Sequence, residues 1–257
     1  MTSRYLEQTY GLTGRTALVT GARTGIGRAC ALALDGAGDA VIPWGRTPES
    51  LDEAAGEVAA QGVKARVIGA DMSDAEAVES LASELASSTP IDVLVNNAGM
   101  IARGPSAGVT IDSWREVLTV NLDAVFLLSR IFGTPMTERG RGAIINIASV
   151  LSFQGGLNVA AYTASKHAVA GLTKSLANEW AALGVNVNAV APGYVVTEST
   201  RPLREDTERE ASIRSRIPAG HWAEPNDVAA AVAFLATPAA RYVHGHTLVV
   251  DGGWLGR

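Results

Sequence analysis

Arg15-Thr16-Ala17-Leu18-Val19-Thr20 passes without a break into Gly21-Ala22-Arg23-Thr24-Gly25-Ile26-Gly27, and a helical pattern follows over Ile26–Ala37. The first six residues form a largely apolar run with little polar alternation, as expected of a strand covered on both faces. Glycines at 21, 25 and 27 permit a tight turn and a close approach of backbone N–H groups. The helix beyond adds its own unpaired N–H groups and its positive end, so the turn suits an anion such as a pyrophosphate. A glycine triplet alone is weak evidence, because glycines punctuate turns everywhere. Its position between a first strand and a first helix makes the reading strong.

The same alternation continues outward. Ala40–Trp44, Ala65–Ala70, Ile91–Val95, Ala143–Ala148, Val185–Val190 and Thr247–Val250 read as buried strands. Helical patterns fall near Ser50–Gln61, Asp74–Ser88, Asp112–Phe132, Ala160–Leu183 and Asn226–Thr237. Repeated strand–helix alternation predicts a doubly wound α/β domain of the Rossmann type, a parallel sheet of about seven strands with helices on both faces. Residues 1–257 read as one domain, with no linker or low-complexity segment. Two connections carry extra sequence, Ile101–Thr110 and Tyr194–Trp222. Ligands of such sheets sit beyond the strands' carboxyl ends, so the second, polar excursion at 194–222 is expected to be a partly helical substrate lid.

Composition narrows the function classes. A net charge of −5 with no basic run argues against nucleic acid as a partner. The N-terminus lacks the apolar core of a signal peptide, and no stretch approaches the ~20 apolar residues that span a bilayer, so no membrane partner and a cytoplasmic location are expected. Cys30 is the single cysteine, set in an apolar helical pattern, and reads as a core residue. The histidines at 167, 221, 244 and 246 form no metal-binding spacing, and the five tryptophans are dispersed along the chain, so neither a metal site nor an aromatic stripe is expected.

A second group of residues carries chemistry. Ser149 follows the fifth strand, and Tyr162-Thr163-Ala164-Ser165-Lys166 lies thirteen residues on. Within one helix, four residues give about 400° of rotation and ~6 Å of rise, which puts Tyr162 and Lys166 on one face. A carbonyl gaining hydride needs a proton, and an alcohol losing hydride must surrender one. Free tyrosine titrates near 10, and a nearby ammonium such as Lys166 favours the phenolate. The Ser149 hydroxyl can donate to the substrate oxygen. Asn121, in mid-helix, has an amide able to bend or hydrate the helix backbone.

The glycine spacing G-x-x-x-G-x-G, with Asn96-Asn97-Ala98-Gly99 after the fourth strand and Tyr162…Lys166, resembles the short-chain dehydrogenase/reductase family from end to end. The resemblance implies a nicotinamide cofactor and a catalytic set of Asn121, Ser149, Tyr162 and Lys166, with Asn121 anchoring a water relay and Lys166 also holding the nicotinamide ribose. It implies a cofactor-binding set of Gly21, Arg23, Thr24, Gly25, Ile26, Gly27, Arg46, Asp71, Met72, Asn97, Ala98, Gly99, Val120, Tyr162, Lys166, Pro192, Gly193, Val195 and Thr197. In that set Asp71 accepts from the adenine amine, and Pro192-Gly193 close over the nicotinamide. It also implies a homotetramer in which the helices Asp112–Phe132 and Ala160–Leu183 pack between subunits.

After the second strand, Trp44-Gly45-Arg46-Thr47 stands where an NAD enzyme carries an acid for the ribose 2′-hydroxyl. Gly45 supplies none, whereas Arg46, with Arg23 as a second cation, can pair with a 2′-phosphate, which favours NADP(H). Within the family, Asn146–Gly156, Ala177–Trp180, Arg216–Gly220 and Val250–Leu255 are most similar to the 2-deoxy-D-gluconate 3-dehydrogenases, also described as 2-dehydro-3-deoxy-D-gluconate 5-dehydrogenases. That subgroup is described as using NAD(H), which stands as the alternative cofactor. A sugar acid would need cations and donors, for which Arg103, Gln154 and Arg201 are candidates beside Ser149 and Tyr162. Reduction of another small ketone with NADPH is the alternative reaction. A dinucleotide-binding regulator without turnover is the reading from a different class, and the presence of both Tyr162 and Lys166 argues against it.

Overall fold

Alternation of apolar side chains along each strand decides how the chain layers. In the computed structural model, which describes residues 4–38, 40–60 and 66–257, seven strands lie in one sheet: β1 Thr16–Thr20, β2 Ala40–Gly45, β3 Ile68–Gly69, β4 Val93–Asn96, β5 Gly142–Ile147, β6 Val185–Pro192 and β7 Thr247–Val250. Their order is β3-β2-β1-β4-β5-β6-β7, and every pairing is parallel. The helices are α1 Arg4–Tyr10, α2 Gly25–Gly36, α3 Asp52–Ala60, α4 Ala75–Ser88, α5 Ile111–Leu118, α6 Ala124–Arg139, α7 Ala160–Trp180, α8 Arg201–Glu205, α9 Thr207–Arg214 and α10 Pro225–Ala236.

Successive strand side chains point to opposite faces. Val19, Val95 and Ile145 therefore meet Cys30 and Leu34 of α2 and Val228, Val232 and Leu235 of α10 on one face. Leu18, Leu94 and Ile144 meet Leu85 of α4, Leu128, Phe132 and Met136 of α6, and Leu176 of α7 on the other. Cys30 is fully buried, and burial pushes its thiol up to about 12, so it is an inert core residue.

Several local expectations change. Gln61, the expected end of α3, and Ala65, the expected start of the third strand, lie outside the described residues. What is seen of that strand is shorter than Ala65–Ala70: β3 pairs only as Trp44↔Ile68 and Gly45↔Gly69. Pro48 closes over its end, where a Cβ on Gly69 would stand 2.2 Å from the proline Cδ. The polar N-terminal segment forms α1. The single helix expected over Asp112–Phe132 is longer and interrupted: a π-helical turn, Thr119–Asp123, joins α5 to α6. By length and composition alone this continuous helix, Ile111–Arg139, is apolar enough to cross a membrane, contrary to the sequence reading, but half of its most apolar window is buried inside the protein.

Candidate active site

The strand order reverses between β1 and β4, and the loops leaving these neighbours diverge to open a crevice. Thr20, the last residue of β1, binds the two loops together. Its hydroxyl donates to Val95 O (3.3 Å) and accepts from Asn97 N (3.0 Å) and Ala98 N (2.9 Å). The Asn97 amide donates back to Thr20 O at 2.9 Å. Gly21 and Gly25 have φ of 65° and 57°, the left-handed region that glycine enters without strain. Gly27 is required for space: a Cβ there would stand 2.2 Å from Gly21 O and 2.4 Å from Asn97 Nδ2. The outcome is a side-chain-free cradle at the start of α2, suited to a pyrophosphate.

The cradle is one end of a cleft of about 1190 Å³ whose lining includes Gly21, Thr24, Gly25, Ile26, Gly27, Asn97, Ala98, Gly99, Pro192, Gly193, Val195 and Thr197. Ser149, Gln154, Tyr162 and Lys166 line the same cleft. That volume exceeds the usual range for a single small ligand and suits a dinucleotide with a small substrate beside it.

α7 presents Tyr162 and Lys166 one helical turn apart, with the ammonium 5.6 Å from the phenol ring centroid. Lys166 Nζ donates to Ile147 O at 2.6 Å, which ties the helix to the end of β5. Burial pulls the Lys166 ammonium down to about 8. Tyr162 keeps part of its surface open to the cleft, yet desolvation by the surrounding protein pushes its phenol up, against the smaller lowering effects of a hydrogen bond to Ser149 and the Arg103 charge. The Lys166 ammonium, expected to favour the phenolate, is held on a carbonyl beside the ring, and Arg103 is a further cation whose charge lowers the phenol.

Asn121 does not line the cleft. It is fully buried in the π turn; its Oδ1 accepts from Met100 N (2.8 Å), and its Nδ2 donates to Met100 O (2.9 Å) and Ser165 Oγ (3.1 Å). The amide thus joins the β4 loop to the catalytic helix, where Ser165 donates to Tyr162 O at 2.7 Å. The engaged side chain sits within the π turn, a form often associated with functional sites. Its neighbour Val120 and Met72, both expected beside the cofactor, are buried in the core on the α4 and α6 face of the sheet and do not line the cleft.

Beyond the end of β2, Arg46 Nε pairs with Asp71 Oδ2 at 3.1 Å. Asp71 also accepts from the backbone N and hydroxyl of Ser73, which, ahead of the arginine, hold its carboxyl below the ordinary range. Arg46 is 80 % exposed. Arg23, within the glycine turn, is also exposed, and neither arginine is part of the cleft lining.

The excursion after β6 folds as a short 3₁₀ turn, Glu198–Thr200, followed by α8 and α9. Thr197, Glu198, Ser199, Thr200, Leu203 and Arg209 face the cleft. Arg201 does not, and the substrate role expected of it is withdrawn: its guanidinium turns onto Glu198 of the same turn. Arg103 does line the cleft and donates to Ser199 O at 2.9 Å, bridging the β4 loop to the excursion. Arg209, Arg216 and Trp254 were not singled out from the sequence as cleft residues, and only the packing of remote segments brings them there. The dispersed tryptophans also converge: Tyr194 meets Trp222 at 5.2 Å and Trp254 at 4.8 Å, both edge-on.

Comparison with known proteins agrees with this geometry. The family described as enoyl-(acyl carrier protein) reductase matches residues 21–255. The 2-dehydro-3-deoxy-D-gluconate 5-dehydrogenase of Bacillus subtilis (strain 168) is 51% identical over 253 residues, covering 98% of this chain and 99% of the relative. The galactitol 2-dehydrogenase (L-tagatose-forming) of Cereibacter sphaeroides is 46% identical over 246 residues, covering 95% and 96%. Among solved structures, a gluconate 5-dehydrogenase from Burkholderia cenocepacia J2315 in complex with NADP and tartrate superposes with a TM-score of 0.93 at 37% identity, covering 97% of this chain and 98% of that one. With a glycine cradle, a Ser–Tyr–Lys group and these relatives in agreement, the chain belongs to the short-chain dehydrogenase/reductase family of oxidoreductases.

Proposed function

We propose that the protein reversibly oxidises a secondary alcohol of a sugar acid to the ketone with NADP(H). The observation that carries this is the convergence of Ser149, Tyr162 and Lys166 on the cleft that begins at the glycine cradle. When bound, NADP(H) accepts or supplies the hydride. Tyr162 transfers the proton at the substrate oxygen, and Ser149 donates a hydrogen bond to that oxygen as charge develops. Lys166, fixed by Ile147 O, stands where it can bind ribose hydroxyls and add positive charge near the phenol. Asn121 acts as a positioning residue: with its side chain committed to Met100 and Ser165, it holds the β4 loop against α7.

NADP(H) is favoured over NAD(H) by Arg46 beside the adenine end, where Gly45 supplies no carboxylate. Pairing through Nε leaves the terminal nitrogens of Arg46 for a 2′-phosphate. The NADP in the Burkholderia neighbour supports the same choice. Sugar-acid specificity is supported by the names of the relatives and by arginines at the substrate end, with Arg103 and Gln154 as contacts.

The same reading covers the assembly: one catalytic domain over 1–257 with a lid at about 194–222, acting as a cytoplasmic homotetramer. Exposed Ile111 and Phe126 on the long helix support burial between subunits. Light scattering giving a monomer mass at all concentrations would remove the tetramer.

The decisive experiment assays polyols, sugar acids and keto acids with both dinucleotides, beside Tyr162→Phe. Sugar-acid turnover with NADP that is lost in the variant is expected. Strong activity only on other ketones would discard the substrate assignment, and unchanged turnover in the variant would discard the chemistry.

A further inference from the structure

Three arginines line the cleft without a carboxylate partner among the described residues: Arg103 in the β4 loop, Arg209 on α9 and Arg216 just beyond it. They differ in how they are held. Arg103 spends a terminal nitrogen on Ser199 O. Arg209, on the two-turn helix α9, and Arg216 are both exposed, but no aromatic ring lies under Arg209 among the described residues. Arg216 lies flat on a ring, its guanidinium carbon 4.0 Å from the Trp254 ring centroid.

That ring is rigid. Trp254 is 6 % exposed and packs in one cluster with Ile213, Ile217, Trp222 and Val150, the residue after Ser149. The cluster therefore links the platform under Arg216 to the end of the catalytic strand. Indole offers the best aromatic face to a cation. A stacked guanidinium loses little further freedom on binding a ligand, and its N–H fork stays open at the edge for a planar, two-oxygen acceptor. Trp254 Nε1 and Trp222 Nε1 are buried without partners, a desolvation cost that phenylalanine would avoid. The large rings are thus an expensive way to fill this space, but a good way to carry a cation.

We infer that Arg216, pre-set on Trp254, receives the substrate carboxylate and sets the preference for an acid over the neutral polyol. The inference rests on the sugar-acid reading above and assigns its anionic end to one residue. Arg209 lacks a platform, and Arg103 is already engaged in bridging the lid.

The test compares kcat/KM for the best sugar acid with that for the matching alditol, in which a hydroxymethyl group replaces the carboxylate. A lost charge-assisted hydrogen-bond pair corresponds to about a 30-fold effect. Arg216→Gln is expected to lower the acid-to-alditol ratio by about that factor, Arg216→Lys to retain most of it, and Arg209→Gln to change it less than about threefold. Trp254→Phe keeps the core filled but weakens the platform, and should lower the ratio several-fold even if Arg216→Gln folds poorly. A wild-type preference for the acid that survives in both Arg216→Gln and Trp254→Phe, or a larger loss in Arg209→Gln, overturns the inference alone. A wild-type enzyme with no preference for the acid overturns the sugar-acid reading, and this inference with it.

Discussion

Gly27→Ala isolates the cradle from the rest of the protein. The added methyl would stand 2.2 Å from Gly21 O and 2.4 Å from Asn97 Nδ2, both well inside van der Waals contact. Neither neighbour yields freely. The first is backbone in a left-handed turn, and the second holds the β4 loop to β1 through its 2.9 Å bond to Thr20 O. Overpacking of this kind costs about 1–3 kcal/mol, and loss of the Asn97 bond about 1 kcal/mol more. Better helix propensity at an alanine returns about 1 kcal/mol. The net is about 2 kcal/mol, or roughly 30-fold in an equilibrium constant. Urea unfolding should show that loss as a lower midpoint, and NADPH fluorescence titration a weaker affinity because the turn must shift to admit the methyl. Gly36→Ala, at the other end of the same helix with nothing within 4 Å of its Cβ, is the control and should leave both readouts within error or slightly improved. A Gly27→Ala protein whose NADPH affinity and midpoint match the wild type would refute the steric argument.

Four other changes test separate parts of the site. Arg46→Ala should weaken NADPH by about tenfold or more while barely affecting NADH, and equal losses for both would remove its 2′-phosphate role. Ser165→Ala breaks the bridge between Asn121 and the Tyr162 turn, and kcat is expected to fall with KM little changed; an effect on KM alone would contradict a positioning role. Lys166 is depressed to about 8 when folded, so between pH 8 and its unfolded value of 10.5 the unfolded chain binds more protons and stability rises with pH. Lys166→Met should therefore be the more stable protein at pH 7, by up to about 3 kcal/mol, with the gap closing toward pH 10 in thermal melts. The Asp35 carboxylate is buried with neither oxygen paired, and desolvation raises its pKa, so it costs stability above its folded pKa and nothing once protonated. Asp35→Asn should raise the melting temperature at pH 7 and lose that advantage in acid; no difference at pH 7 would show that the charge is solvated.

What the chain wrote locally could be read from it directly. Short continuous apolar runs mark the strands, longer helical patterns mark the helices, and their alternation gives a sheet covered on both faces. Glycine spacing specifies the turn, and four residues of helix put Tyr162 and Lys166 on one face. These are properties of a few consecutive residues, where backbone geometry leaves few alternatives. The less local features were decided by folding. Asn121 meets Ser165 across 44 residues, and the Arg103–Ser199 bridge spans 96. Arg201 turned onto its neighbour Glu198, while Arg209 and Arg216 reached the cleft. Tyr194, Trp222 and Trp254 formed a single cluster. Long charged side chains have many rotamers and several partners within reach, so only the positions of remote elements select among them. The pKa values belong to the same class: burial raised the Tyr162 phenol and lowered the Lys166 ammonium, and burial is a property of the packed chain that neither residue carries by itself.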